Sequence, residues 1–278
     1  MSTRYRALVL DLDGTLLDDA GTIHPRTLAV LRALHARGVR VMIATGRSEL
    51  GAGPVLAELA MDTPAIVYNG AGLFCPSERR LLEERLLSDR VVARCFEFAE
   101  RSGLMTMIQV AGAKYAPHPR DEHERLALRG LEGLRHVSFA ELPREYVIRV
   151  TYFSDRHAGS GVLASEVEHA IAQPLHLTHF PLNALAPHRA SALSVVDVQP
   201  PCRGKGEALR VLAERYGIAP EEVVAVGDAD NDLPMLTAAG LGVAMQNAMP
   251  GVLAAARRVI GNNNTDTIAE LAEELFGA

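Results

Sequence analysis

Two acidic stretches, far apart in the chain, hold the side chains best suited to chemistry. Asp11-Leu12-Asp13-Gly14-Thr15 sets two carboxylates two residues apart. In an extended segment such residues point to the same side, so both can face one ligand, and Gly14 permits a sharp turn just beyond them. Gly227-Asp228-Ala229-Asp230-Asn231-Asp232 supplies more acid. Clustered carboxylates repel one another unless a hard cation sits among them, and Mg²⁺ suits such a site because it takes a few carboxylates, water and a phosphate oxygen. Thr45 adds a hydroxyl, Asn69 an amide, and Lys205 a positive charge at the start of a predicted helix, where the backbone dipole is itself positive. Carboxylates, metal, lysine and hydroxyl together are what phosphoryl transfer requires, since that reaction spreads negative charge over the transferred oxygens.

The elements around these residues explain how they can meet. Ala7–Leu10 is a continuous apolar run, as in a strand buried on both faces, and it stops at Asp11. Pro25 opens a helical pattern that Gly38 ends. Val39–Ala44 is a second strand ending at Thr45-Gly46-Arg47, and Ala65–Tyr68 a third ending at Asn69. Strands separated by single helices imply right-handed crossovers and a parallel sheet, and ligands of such sheets bind outside the carboxyl ends of the strands. The rhythm changes after about Glu84, where charge and histidine increase, with helices expected at Arg90–Arg101 and Gly159–Ala172 and strands at Met105–Val110, Val147–Phe153 and Leu175–Thr178. It returns with a strand at Leu193–Val198, a helix from Lys205 to Tyr216 and a strand at Val223–Val226 that runs into Asp228. The division expected is an α/β core in two parts, residues 1–84 and 191–278, interrupted by an inserted domain at 85–190.

Composition narrows the function. The 278 residues are 48% hydrophobic and 22% charged, and 28 Lys and Arg against 34 Asp and Glu leave a net charge of -6. That argues against a broad basic face for nucleic acid. No apolar run is long enough for a bilayer, the first residues lack a signal-peptide core, and three scattered cysteines fit neither a disulfide scaffold nor a zinc ribbon. A cytoplasmic protein is expected. Other motifs fall away on inspection. Leu233 and Ala239 stand where a calcium loop needs its Gly and final Glu; Gly204-Lys205 has Gly206 where a Walker loop needs Ser or Thr. His176, His179 and His188 lie in short segments without nearby Cys, better read as surface or substrate-contacting side chains than as zinc ligands. Arg120 to Arg125 reads as a solvated helix face, and Tyr152, Phe153 and Phe180 as core or sheet packing.

In motif order, and across nearly the whole predicted core, the sequence resembles the haloacid dehalogenase-like (HAD) superfamily, specifically its Cof-type, or type IIB, phosphatases. The resemblance implies an α/β fold: a Rossmann-like parallel-sheet core with an inserted α+β type 2 cap that closes over the site. It implies that Asp11 attacks phosphorus to give an aspartyl-phosphate, while Asp13 protonates the leaving oxygen and later activates water. Thr45, Gly46 and Lys205 would hold phosphoryl oxygens, Asn231 would touch the phosphate or orient its neighbours, and Asn69 would face the substrate. Mg²⁺ would be bound by Asp11, the Asp13 backbone carbonyl and Asp228, with Asp232 supporting. An acid at Asp13, where relatives with a durable phosphoenzyme carry Thr, favours hydrolysis. Thr267 replaces a usual Gly in Asn262–Ile268, which changes the shape of that outer loop, and Arg203 offers an extra phosphate contact. The implied partner is a small phosphorylated metabolite, a sugar phosphate before a phosphorylated cofactor, with the chain a monomer or weak dimer. Two alternatives stand beside it: a phosphomutase or phosphotransferase using the same phosphoaspartate, and a non-catalytic phosphometabolite-binding regulator, which would be expected to lose Asp11 or Asp13.

Overall fold

The computed structural model describes residues 4–185 and 188–277. In chain order the elements are β1 (Ala7–Leu10), α1 (Pro25–Ala36), β2 (Arg40–Ile43), α2 (Glu49–Leu59), β3 (Ala65–Val67), β4 (Gly72–Cys75) and β5 (Arg80–Glu84). There follow α3 (Asp89–Ser102), β6 (Met105–Val110), β7 (Ala113–Ala116), α4 (Glu122–Leu128), β8 (Leu134–His136), β9 (Arg149–Ser154), α5 (Ser160–Ile171), β10 (His176–Pro181) and β11 (Ser194–Gln199). The chain ends with α6 (Glu207–Tyr216), β12 (Val223–Gly227), α7 (Leu233–Ala238), β13 (Leu241–Met245), α8 (Pro250–Ala255), β14 (Arg258–Ile260) and α9 (Thr267–Phe276). Two compact units result: Met1–Ser48, Ala52–Glu83 and Arg203–Ala278 form one, and Glu49–Gly51 with Glu84–Cys202 the other.

The first unit is built on a parallel sheet of order β14-β13-β12-β1-β2. Its central strands are apolar throughout because both faces are covered. Ala7 and Val9 pack with Leu209 and Leu212 of α6 and Met235 and Leu236 of α7. Leu8 and Leu10 point the other way, and are fully buried as well. Ala65–Val67, expected as a third parallel strand, makes one parallel bridge just past β2, Ile66 to Ala44, and pairs in full with β4 in an antiparallel hairpin.

The second unit carries a six-stranded sheet of order β10-β11-β9-β6-β7-β8, antiparallel except for the β7–β8 pair. On one face, Ile108, Val150, Tyr152 and Val196 meet Cys95 and Phe98 of α3 and Leu163 and Val167 of α5. On the other, Met105, Met107, Phe153 and Val195 meet Ala127 and Leu128 of α4, with Phe180 packed against them. Ser88 caps α3 by accepting from the Val91 amide, and Gly103, at φ 63°, ends it.

Three expectations need correction. The strand expected at Leu193–Val198 belongs to this antiparallel sheet, between β10 and β9, so the first unit resumes at Arg203 and not at 191. Every residue of Ser194–Gln199 is buried, and a strand buried on both faces carries the same apolar signature in either kind of sheet. The helix expected from Lys205 begins at Glu207, Lys205 lying in a single 3-10 turn, Gly204–Gly206. The Arg120–Arg125 stretch is not wholly solvated, because Glu124 is buried beneath its ion pair with Arg120.

Candidate active site

Parallel pairing sets the two acidic loops side by side. Leu10 is in register with Val226, and the Asp11 amide donates to the Val226 carbonyl at 3.1 Å, so the loops after β1 and β12 leave the sheet together. Two glycines let them close. Gly14 sits at φ +79°, and a Cβ there would lie 2.4 Å from Asp228 Oδ2. A Cβ on Gly227 would lie 2.5 Å from the Asp232 carboxyl carbon. Both contacts are closer than carbon can approach, so glycine is what admits the carboxylates.

Lys205 is the buried centre of this group. Its Nζ donates to Asp11 Oδ1 and to Asp232 Oδ1, each at 2.6 Å, and the side chain is 2% exposed. The second oxygen of Asp232 accepts from the backbone amides of Asp228 and Ala229 at 2.9 and 3.0 Å. Asp232 therefore spends both oxygens holding Lys205 and the Asp228 loop. Asp228 Oδ1 accepts from the Thr15 hydroxyl at 2.9 Å.

The other loops complete the arrangement. Thr45 is buried, its amide donating to the Ile66 carbonyl and its Oγ1 accepting from the Arg47 amide. Asn69 is buried at φ 50°, its Oδ1 accepting from Asn231 Nδ2 at 3.0 Å and lying where a Cβ on Gly46 would meet it at 3.1 Å. Gly46, Asn69 and Asn231 thus form one contact. Asn231 Oδ1 is buried with no hydrogen-bond partner among the described residues. Asp13 is half-open to solvent and is gripped by Arg47, whose Nε donates to Oδ2 at 2.8 Å and Nη2 to Oδ1 at 2.6 Å.

The charges in this group do not balance. Burial pushes the Asp11 carboxyl well above the usual range; Lys205 opposes this, and Asp232 and Asp228 add to it. Burial, and next the Asp232 charge, push Asp228 up to about 7. Burial alone would lower the Lys205 ammonium, but Asp11 and Asp232 outweigh it and the net shift is upward. Lys205 is therefore a fixed cation facing more carboxylate than it can neutralise. One oxygen from each of Asp11, Asp228 and Asp232 lies within 4.8 Å of the others, and a hard-oxygen donor set this close, short of positive charge, fits a divalent metal.

Sequence reasoning missed three contributors. Arg47 reads as an ordinary charged residue after a glycine, and nothing in its spacing points to Asp13. Asn247 Nδ2 donates to the Gly14 carbonyl at 2.8 Å, and its Oδ1 accepts from the Asn263 amide at 3.1 Å. Asn263 Nδ2 in turn donates to the Leu17 carbonyl at 3.0 Å. The outer loop with the unusual Thr267 thereby buttresses the β1 loop, and Thr267 Oγ1 accepts from the Gly261 amide at 2.9 Å.

Known proteins resemble this chain over nearly its whole length. The family model described as haloacid dehalogenase-like hydrolase matches residues 8–271. The chain is 32% identical over 278 residues to pyridoxal phosphate phosphatase YbhA of Escherichia coli, covering 95% of this chain and 96% of that one. It is 30% identical over 246 residues to the HMP-PP phosphatase of Cronobacter sakazakii, covering 88% and 85%. Among solved structures, a haloacid dehalogenase-like hydrolase from Bacteroides thetaiotaomicron superimposes with a TM-score of 0.79 at 27% identity, covering 98% of this chain and 100% of that one. A sugar phosphatase of HAD subclass IIB superimposes at 0.80 with 26% identity, covering 98% and 99%. No described helix is long and apolar enough to cross a membrane. With a matching parallel core, a separate antiparallel sheet and named phosphatases among its relatives, the chain belongs to the haloacid dehalogenase-like hydrolase family and is an enzyme of it.

Proposed function

We propose that this chain is a Mg²⁺-dependent phosphatase that hydrolyses a small phosphorylated metabolite, a sugar phosphate before others, through an aspartyl-phosphate on Asp11. The observation that carries the reading is the buried Lys205 ammonium held 2.6 Å from Asp11 at the mouth of paired strands. A carboxylate is a weak nucleophile and must be brought against an anionic substrate; a fixed cation beside it offsets the incoming charge. Asp11 attacks phosphorus as the bond to the leaving oxygen breaks, and Asp13 gives that oxygen its proton. Water then attacks the same phosphorus, Asp13 takes the water proton, and the bond from phosphorus to Asp11 breaks. Thr45, Gly46 and Asn231 are the remaining groups proposed around the phosphoryl oxygens, with Asn69 orienting Asn231. Mg²⁺, held by Asp11, the Asp13 carbonyl and Asp228 with Asp232 in support, would supply further positive charge to the transferred group.

The substrate class rests on the relatives: two named above act on pyridoxal phosphate and HMP-PP, and the structural relative is a sugar phosphatase. Asp11→Asn should abolish release of inorganic phosphate from p-nitrophenyl phosphate while leaving the far-ultraviolet circular dichroism unchanged. Borohydride reduction of the wild-type enzyme quenched during turnover should mark Asp11 by mass spectrometry. Turnover by Asp11→Asn within about tenfold of wild type would refute the nucleophile, and a phosphorylated acceptor in place of inorganic phosphate would favour a phosphotransferase.

A further inference from the structure

Asp11 and Asp232 are anchored by burial and by Lys205, and Asp228 by the Thr15 hydroxyl and by its own amide on Asp232. Asp13 is different: its side chain is 41% exposed, and the grip on its carboxylate comes from Arg47, itself 31% exposed. Arg47 can act as a fixed point because its own backbone is tied on both sides. Its amide donates to Thr45 Oγ1 at 3.1 Å, and its carbonyl accepts from the Tyr68 amide at 2.8 Å. The segment that makes the second tie holds two consecutive non-glycine residues in the left-handed region, Tyr68 at φ 53° and Asn69 at φ 50°, a conformation that persists only where its surroundings impose it. The fork makes two parallel contacts that fix the carboxyl plane, which an ammonium cannot do.

We propose that Arg47 is a positioning residue for Asp13: its fork, held by backbone ties on both sides, fixes the plane of the Asp13 carboxyl and so sets the direction in which Asp13 meets the leaving oxygen. The inference rests on the reading of Asp13 as the acid and base.

The test is the dependence of kcat/KM on leaving-group basicity, from p-nitrophenyl phosphate, whose phenolate leaves without a proton, to phenyl phosphate. Wild type, Asp13→Asn and Arg47→Lys are compared with Mg²⁺ present. Arg47→Lys is expected to behave like Asp13→Asn, losing about 100-fold on phenyl phosphate but under about tenfold on p-nitrophenyl phosphate, with inhibition by inorganic phosphate unchanged. Arg47→Ala should regain rate with added guanidinium, and regain more of it on phenyl phosphate. An equal loss on both substrates, or weakened inhibition by phosphate, overturns the proposal in favour of a direct phosphate contact or a structural role. A steep Asp13→Asn beside a shallow Arg47→Lys overturns the positioning role alone. A shallow Asp13→Asn overturns the acid reading and the proposal with it.

Discussion

Asp228 should give the metal-free chain a stability that falls as pH rises toward neutrality. Burial, and next the Asp232 charge, raise its carboxyl from 3.8 to about 7, against Lys205 and the hydrogen bond from Thr15. A carboxyl raised in the folded state favours folding at low pH, and that advantage disappears as pH rises through the folded value. Below about pH 4 the group is protonated in both states. Between about pH 4 and 7 the unfolded chain loses the proton and the folded chain keeps it, so stability drops by about 1.4 kcal/mol per pH unit. Roughly three units give about 4 kcal/mol, and solvent at this partly exposed side chain brings the figure nearer 2 kcal/mol. Asp228→Asn keeps an oxygen for Thr15 and cannot ionise. Urea unfolding in chelator, from about pH 4.5 to 8, should therefore show wild type losing about 2 kcal/mol more than the variant. Millimolar Mg²⁺ should recover the loss in wild type and not in the variant, since a ligand of the folded state alone adds stability. Parallel curves for the two proteins, or a wild type that gains on the variant as pH rises, would refute the charge accounting.

Three further outcomes follow from the same contacts. Lys205→Met strands Asp11 and Asp232 in the interior without their cation, so it should cost about 3–5 kcal/mol in urea unfolding at neutral pH and abolish phosphatase turnover. Gly14→Ala places a methyl 2.4 Å from Asp228 Oδ2 in a backbone that favours glycine; it should cost about 1–3 kcal/mol and weaken Mg²⁺ binding by calorimetry. Asn263→Ala removes the donor to the Leu17 carbonyl, and should lower stability by about 1–2 kcal/mol and kcat more than KM, because the β1 loop that holds Asp13 loses its support.

The strand ends were legible because a sheet buried on both faces leaves no choice about where polar groups go. Ala7–Leu10 and Val223–Gly227 are apolar to the last residue, so Asp11 and Asp228 are the first polar positions after each strand. Register then did the rest, since parallel pairing of Leu10 with Val226 brings the loops together without further instruction. The same signal misled at Ser194–Gln199, whose burial on both faces comes from α3 and α5 on one side and α4 on the other. Periodicity reports burial and cannot report which sheet supplies it. The supporting residues were illegible for another reason. Arg47, Asn247 and Asn263 act through single side chains reaching across loops separated by up to 246 residues, and no spacing rule connects residues that distant.

Asp232 shows why a cluster of acids should not be read as a set of equivalent ligands. Its side chain is wholly buried, with one oxygen on Lys205 and the other on two backbone amides, so its charge neutralises the lysine and its geometry shapes the loop that presents Asp228. With that pair accounted for, Asp11 shares the Lys205 ammonium with Asp232, Asp228 has no cation of its own in the inner group, and burial raises both the Asp11 and Asp228 carboxyls. A divalent cation beside Asp11 and Asp228 would favour their ionised forms and offset them, so the proposed phosphoryl dianion would meet less repulsion there. Lys205 and Asp232 form an internal pair that also holds Asp11, and in the proposed reaction a cation beside them would decide whether the site accepts an anion.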